Sequence, residues 1–200
     1  AGLQANIDDN LRAIDEAKTL DSECLVLVVG GLPTGSKNIE KARDQVFNGM
    51  SAILDHARSC QVPLAIEPLH PMYAADRACV NTMKQALDLC DRLGLGIGVA
   101  LDVYHVWWDP DLKEQIMRAG RNKQLLAYHV CDWLVPTNDM LTDRGMMGDG
   151  IIELRKIRSW VEDAGYKGSC EVEIFSANNW WKKDPEFVLK KCIERHQTVV

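Results

Sequence analysis

The apolar pattern of this chain changes period repeatedly, and that alternation restricts its fold more than any other feature. Residues 7–20 place Leu11, Ile14, Ala17 and Leu20 on one helical face. Cys24 to Val29 is then a short continuous apolar run ending in Gly30-Gly31, which reads as a buried strand stopped by turn residues. The same alternation predicts helices near 38–60, 81–93, 110–119, 151–164 and 184–197. Between them lie the strands Leu64-Ala65-Ile66, Ile97 to Leu101, Leu125 to Tyr128 and Ser169 to Phe175, with a sixth, irregular strand expected inside 134–150. Short, fully apolar strands separated by helices are what a covered parallel sheet requires. The class is α/β.

Two architectures satisfy that pattern, an open doubly wound sheet and a (β/α)8 barrel. The stretch Gly30-Gly31-Leu32-Pro33-Thr34-Gly35 is glycine-rich but has neither dinucleotide-binding spacing nor a phosphate-loop lysine-serine pair. It reads either as an ordinary turn or as a mobile cap. Polar residues stand at the carboxyl ends of four successive strands: Glu67, Asp102, His129 and Glu173. Such residues converge on one point only when the sheet curls on itself, so the barrel is favoured. A full barrel typically takes about 250 residues and eight strands. This chain offers five and opens in a helix. The expectation is a single domain over 1–200, a barrel lacking its N-terminal one to two β/α units. It would be a shortened form of a longer protein, or else a half-barrel completed by a partner chain.

Composition narrows the function. A formal charge of −6 without any basic stripe argues against nucleic-acid partners. No apolar run reaches the roughly 18 to 20 residues that cross a bilayer, and no secretory leader pattern is present. Seven scattered cysteines without a CxxC pair read as small core residues in a reducing, cytoplasmic setting.

Each strand-end residue has an ordinary reading as well as a chemical one. Glu67, after Leu64-Ala65-Ile66, could pair with a nearby cation; Asp102 and His105 could be a satisfied polar pair. His129 could be a hydrogen-bonded core histidine. Glu171 and Glu173 share a strand face, so the deeper Glu171 would need a lysine or arginine partner. Taken together the set is less ordinary. Three carboxylates gathered without a cation would force at least one pKa upward, and one divalent ion (Mn, Co, Mg or Zn) removes that conflict.

The ordered motifs Ile66-Glu67-Pro68, Leu101-Asp102-Val103-Tyr104-His105, His129-Val130-Cys131-Asp132-Trp133, Asp143-Arg144-Gly145 and Val172-Glu173-Ile174-Phe175 resemble the xylose-isomerase-like superfamily. That family includes sugar-phosphate isomerases and epimerases, ketose 3-epimerases, inosose dehydratase and endonuclease IV. The resemblance implies a metal set of Glu67, Asp102, His129 and Glu173, with His105 and Arg144 binding substrate. It also implies Glu67 and Glu173 as the catalytic proton-transfer pair, acting through a metal-stabilised enediolate of a keto-sugar, polyol-derived ketone or sugar phosphate. Two departures matter. Ketose 3-epimerases carry a further acid shortly after the first glutamate, where this chain reads His70-Pro71-Met72-Tyr73. Endonuclease IV carries Asp-Arg-His where this chain has Asp143-Arg144-Gly145, so a phosphodiester-cleaving trinuclear site is disfavoured. A lyase at the same metal site is the alternative activity, and a non-catalytic sugar-binding protein the third reading. A homo-oligomer is expected from exposed sheet edges.

The remaining features divide evenly. Trp107, Trp108, Trp133, Trp180 and Trp181 follow strand ends and serve either a carbohydrate wall or loop packing. Lys182-Lys183 reads as a solvated helix start or a phosphate contact, and Asp149 as a charge near the amino end of the next helix.

Overall fold

The structure, a computed structural model, describes residues 2–200. Strands β1 (Leu25–Leu27), β2 (Leu64–Ile66), β3 (Ile97–Asp102), β4 (Leu125–Val130) and β5 (Cys170–Val172) alternate with helices α1 (Leu3–Thr19), α2 (Ile39–Cys60), α3 (Met83–Leu93), α5 (Leu112–Arg121), α6 (Leu154–Asp163) and α7 (Pro185–Thr198). A one-turn helix α4 (Val103–Val106) follows β3 directly. All five strands are parallel and lie in sequence order, β1-β2-β3-β4-β5, the arrangement of consecutive β/α units.

The helices start where polar side chains can hold free amides. Asn38 accepts from the Lys41 amide, Thr82 from that of Gln85, and Asp184 from that of Phe187, with Pro185 at the first helical position. Their apolar faces pack on one side of the sheet. Leu64, Ile66, Val99, Leu101, Tyr128 and Val130 meet Ile14, Leu54, Leu87, Ile116 and Ile157 there in one buried core. Complete burial of each such aliphatic side chain is worth about 1.5–3 kcal/mol.

The alternate strand residues face the other way, as the two-residue period demands. That inner face is lined by Ala65, Ala100 and Ala127, with Cys24, Val26 and Leu126 against them. Small residues are required here. A Cβ on Gly98 would sit 2.2 Å from the Gln124 carbonyl oxygen and 2.8 Å from Leu126 Cγ. The β3–β4 register slips between Val99 and Ala100, and Asp102 then stands level with His129. Continuing the alternation past Ala65, Ala100 and Ala127 points Glu67, Asp102 and His129 to this same inner side.

The irregular strand expected in 134–150 does not form. The segment contributes only two antiparallel bridges, Asp132 with Gly145 and Asp143 with Ser176. Its amides are engaged elsewhere. The Asn138 amide goes to Asp143, those of Leu141 and Thr142 to Asp139, and those of Gly148 and Gly150 to Asp132, which leaves few for a ladder. For the same reason α6 begins at Leu154 rather than 151. The Gly30–Gly35 stretch is tied down rather than free. Cys79 N–H donates to Gly30 O at 2.9 Å and Leu32 N–H to Ala75 O at 2.7 Å.

Candidate metal centre

Glu67 comes directly after β2, Asp102 ends β3, His129 lies near the end of β4, and Glu173 directly follows β5. One ligand-type atom from each lies within 4.8 Å of all the others. His129 Nδ1 is 3.5 Å from both Glu67 Oε1 and Glu173 Oε2. These four strand-end residues therefore meet at one point, and His105, from α4, adjoins them with Nε2 3.7 Å from Asp102 Oδ2.

Arg144 enters from the loop after β4 and is 3% exposed. Its Nη1 donates to Asp102 Oδ2 at 2.8 Å and approaches Glu173 Oε2 at 3.4 Å; its Nη2 is 3.2 Å from His105 Nε2. The guanidinium lies over the rings of Tyr104 and Phe175, 4.4 Å and 4.9 Å from their centres. Such planar stacking holds an arginine fork in one orientation. No residue pattern announces these two aromatic contacts, because they depend on how the loop folds back.

The charges are strained without a cation. Burial pushes the Glu67 carboxyl up, the Asp102 and Glu173 carboxylates push in the same direction, and His129 opposes them. Burial disfavours a charged His129, but the carboxylates of Glu173, Glu67 and Asp102 outweigh it and carry the imidazole up to about 10. Burial would also raise Asp102, yet Arg144, His105 and the Tyr104 amide hold it below the usual range. Burial brings His105 down to about 4, so it is neutral at pH 7. Glu67 Oε1 and His129 Nδ1 are buried without a hydrogen-bond partner. Two orphaned polar atoms facing each other, with two further carboxylates in reach, are a donor set that one divalent cation would satisfy.

Other expectations divide as follows. Glu171 is exposed and has no cationic partner among the described residues, contrary to the lysine or arginine expected for it. Asp149 does not lie at the start of α6. Its Oδ2 accepts from the Met146 amide and the Trp180 indole, and its Oδ1 is 3.7 Å from Arg195. Trp180 is a packing residue, buried and stacked on Phe187, whereas Trp181 is exposed. Trp107, Trp108 and Trp133 gather around His70 and Tyr104 beside the centre. His70 was legible only as a departure from a pattern. Its amide donates to His105 Nδ1 and its ring stacks on Trp133 at 4.9 Å. Lys182 contacts Asn178 and Lys183 lies over Trp180.

The sequence profile of the xylose isomerase-like TIM barrel family matches residues 1–192. The chain belongs to that family. No curated protein matches it. The crystal structure of protein SMc04130 from Sinorhizobium meliloti 1021 is 65% identical with a TM-score of 0.97, the match covering 98% of this chain and 71% of that one. The IOLI protein, crystallised with a bound zinc atom, is 22% identical with a TM-score of 0.78, over 97% of this chain and 68% of its own. The 3-keto-D-glucoside 4-epimerase YcjR from E. coli is 15% identical with a TM-score of 0.74, over 96% and 70%. These last two show a shared fold. Within the family, the strand order and strand-end cluster fit consecutive units of one barrel wall. No helix among the described residues is long and apolar enough to cross a membrane.

Proposed function

We propose that this chain is a divalent-metal-dependent isomerase or epimerase of sugars or sugar phosphates, with Glu67, Asp102, His129 and Glu173 as metal ligands. The observation that carries the reading is the convergence of these four residues within 4.8 Å, two of them with orphaned buried atoms facing each other. Sugar epimerase chemistry on the same fold in YcjR, and the zinc atom in the IOLI protein, support it.

When bound, the ion supplies Lewis-acid polarisation of a substrate carbonyl and counter-charge for the resulting enediolate. The chain supplies the rest. Glu67 and Glu173 both adjoin His129, each 3.5 Å from its Nδ1, and are the two carboxylates at the centre that would exchange a proton with a substrate carbon. One carboxylate takes the proton α to the carbonyl, and the other gives one back. Return to the same carbon inverts it, and return to its neighbour moves the carbonyl. Glu173 is the more open of the two, with a side chain 35% exposed against 9% for Glu67. Arg144 holds the Asp102 and Glu173 carboxylates in place and stabilises negative charge on substrate oxygens. His105, its Nδ1 held by the His70 amide, would bind a substrate hydroxyl through Nε2 in place of Arg144, and the indoles of Trp107, Trp108 and Trp133 would cover the apolar face of the sugar ring.

The test is solvent-proton exchange. The purified chain, loaded in turn with Mn, Co, Mg and Zn, is incubated with keto-sugars, inososes and their phosphates in D2O and followed by NMR. Deuterium entering at the carbon next to the carbonyl, together with an epimer or isomer, is the expected result. Glu67→Gln and Glu173→Gln should abolish it. Metal-loaded protein that exchanges no substrate proton would overturn the proposal, and a dehydrated product would reassign the reaction to a lyase.

A further inference from the structure

A second convergence of ligand-type side chains lies on the opposite side of the core. Asp15 on α1 faces His56 and Cys60, which stand four residues apart on α2 and so occupy one face of that helix. His56 Nε2 is 2.8 Å from Asp15 Oδ1 and 3.6 Å from Cys60 Sγ, and Cys60 Sγ is 3.7 Å from the same Asp15 oxygen. Cys60 is reduced and buried, whereas the side chains of His56 and Asp15 are 36% and 61% exposed.

Two ordinary readings fail to account for this triangle. An ion pair between Asp15 and His56 does not need a thiol from the next turn placed almost equally close to both. A nucleophilic cysteine relay would use the two imidazole nitrogens for two different partners. Here one nitrogen faces both the carboxylate and the sulfur. Three donors aimed at one point are the arrangement of ligands around an ion. In tetrahedral zinc, with Zn–S of about 2.3 Å and Zn–N or Zn–O of about 2.0 Å, sulfur stands about 3.5 Å from each lighter ligand. The observed sulfur separations of 3.6 Å and 3.7 Å match that spacing, and the 2.8 Å between His56 Nε2 and Asp15 Oδ1 has to open to about 3.3 Å as an ion replaces their hydrogen bond.

We propose that Asp15, His56 and Cys60 form a second metal site, which binds one borderline-soft divalent cation, zinc above the others, and clips α1 to α2. A thiolate beside an imidazole selects against Mg and Mn, and one carboxylate with open solvent leaves the fourth position to water. Binding releases the Cys60 thiol proton and any proton on His56 Nε2 to solvent, so affinity rises with pH. The four-residue centre offers only oxygen and nitrogen donors, which makes the two sites spectroscopically separable.

Cobalt is the probe. Reduced, metal-free protein carrying His129→Ala and Glu173→Gln is titrated anaerobically with Co(II), with the near-ultraviolet thiolate-to-cobalt charge-transfer band as readout. The band should grow to saturation at one equivalent and be displaced by zinc. Cys60→Ser should abolish it. His56→Ala and Asp15→Asn should each weaken binding at least about tenfold, the least that even outer-shell changes do at such sites. Cys131, buried near the other centre, is present throughout, so loss of the band in Cys60→Ser assigns the sulfur. No band with cobalt in large excess, or a band unaffected by Cys60→Ser or by His56→Ala, would overturn the proposal. If the buried Cys60→Ser variant does not fold, the two exposed positions decide alone. None of these outcomes depends on whether the four-residue centre turns over a sugar.

Discussion

At the residue scale, Asp132 does more for the candidate centre than its place outside the ligand set suggests. Its two oxygens accept from the amides of Trp133, Gly148, Gly150 and Ile152, all at 2.9–3.0 Å, and the residue is 1% exposed. Those bonds close the loop that delivers Arg144. There is no room for a larger residue at its turn, since a Cβ on Gly150 would lie 2.1 Å from the Trp133 carbonyl oxygen. Replacing Asp132 by alanine strands the half-buried Trp133 amide and the buried Ile152 amide, while those of exposed Gly148 and Gly150 can turn to water. It should lower stability by about 3 kcal/mol, given that charge-assisted bonds contribute about 1.5–3 kcal/mol each. Urea unfolding should show the midpoint falling at constant slope. A loss below about 1 kcal/mol would mean the loop is held by something else. The ligands themselves were legible because a carboxylate or imidazole ending an apolar strand is costly without a reason. Asp132 was visible only as part of a motif, because its partners are backbone amides that no residue pattern announces. For Glu171, alternation yields the strand face but not the exposure: the side chain is exposed and has no cationic partner among the described residues.

At the scale of elements, the positions of all five strands and six of the helices follow from period and turn residues. The short helix α4 does not, because it is a product of the site: Asp102 caps it by accepting from the Tyr104 amide, and that turn presents His105. The close approach of β3 to β4 was equally hidden. Gly98 is the only residue type that leaves room for the Gln124 carbonyl, so Gly98→Ala should cost about 3 kcal/mol by overpacking. A thermal melt would detect that, and tolerance of the alanine would show the strands can separate without cost. The helices are joined by charge as well as by packing. Arg118 on α5 meets Asp88 at 2.8 Å and Asp91 at 2.7 Å, both on α3. The Arg118 hydrogen bond holds the Asp91 carboxyl low. For Asp88, burial pushes upward, but Lys84 and Arg118 outweigh it and the net direction is again down. A carboxyl whose folded pKa lies below its unfolded value of about 3.9 adds stability above that pH and loses it as pH falls through the folded value. Arg118→Ala should therefore cost up to about 1 kcal/mol near pH 7, as partly exposed pairs do, and nothing once both carboxyls are protonated. An equal loss at neutral and strongly acid pH would assign the effect to packing instead.

For the whole molecule, the four candidate ligands tie together β2, β3, β4 and β5, so any ion they hold is linked to the stability of most of the sheet. Without an ion, that junction is a place of conflict. Glu67 is buried, and its burial with the neighbouring Asp102 and Glu173 carboxylates disfavours its charged form by more than His129 favours it. Replacing it with the neutral, similarly shaped glutamine removes a charge the metal-free fold holds at a cost. Metal-free Glu67→Gln should thus melt no lower than the metal-free wild type. Ion addition should separate the two proteins in the other direction. At about one hundred times the dissociation constant, a ligand bound only by the folded state adds about 2.7 kcal/mol. The wild type should gain that increment with Mn, an ion the Asp15-His56-Cys60 cluster selects against, and Glu67→Gln should gain much less at the same concentration. A simple structural ion pair between Glu67 and His129 predicts the reverse pattern, a destabilised variant and no response to ions in either protein. Calorimetry of the two proteins, each with and without metal, distinguishes a site built to receive a cation from one that is complete without it.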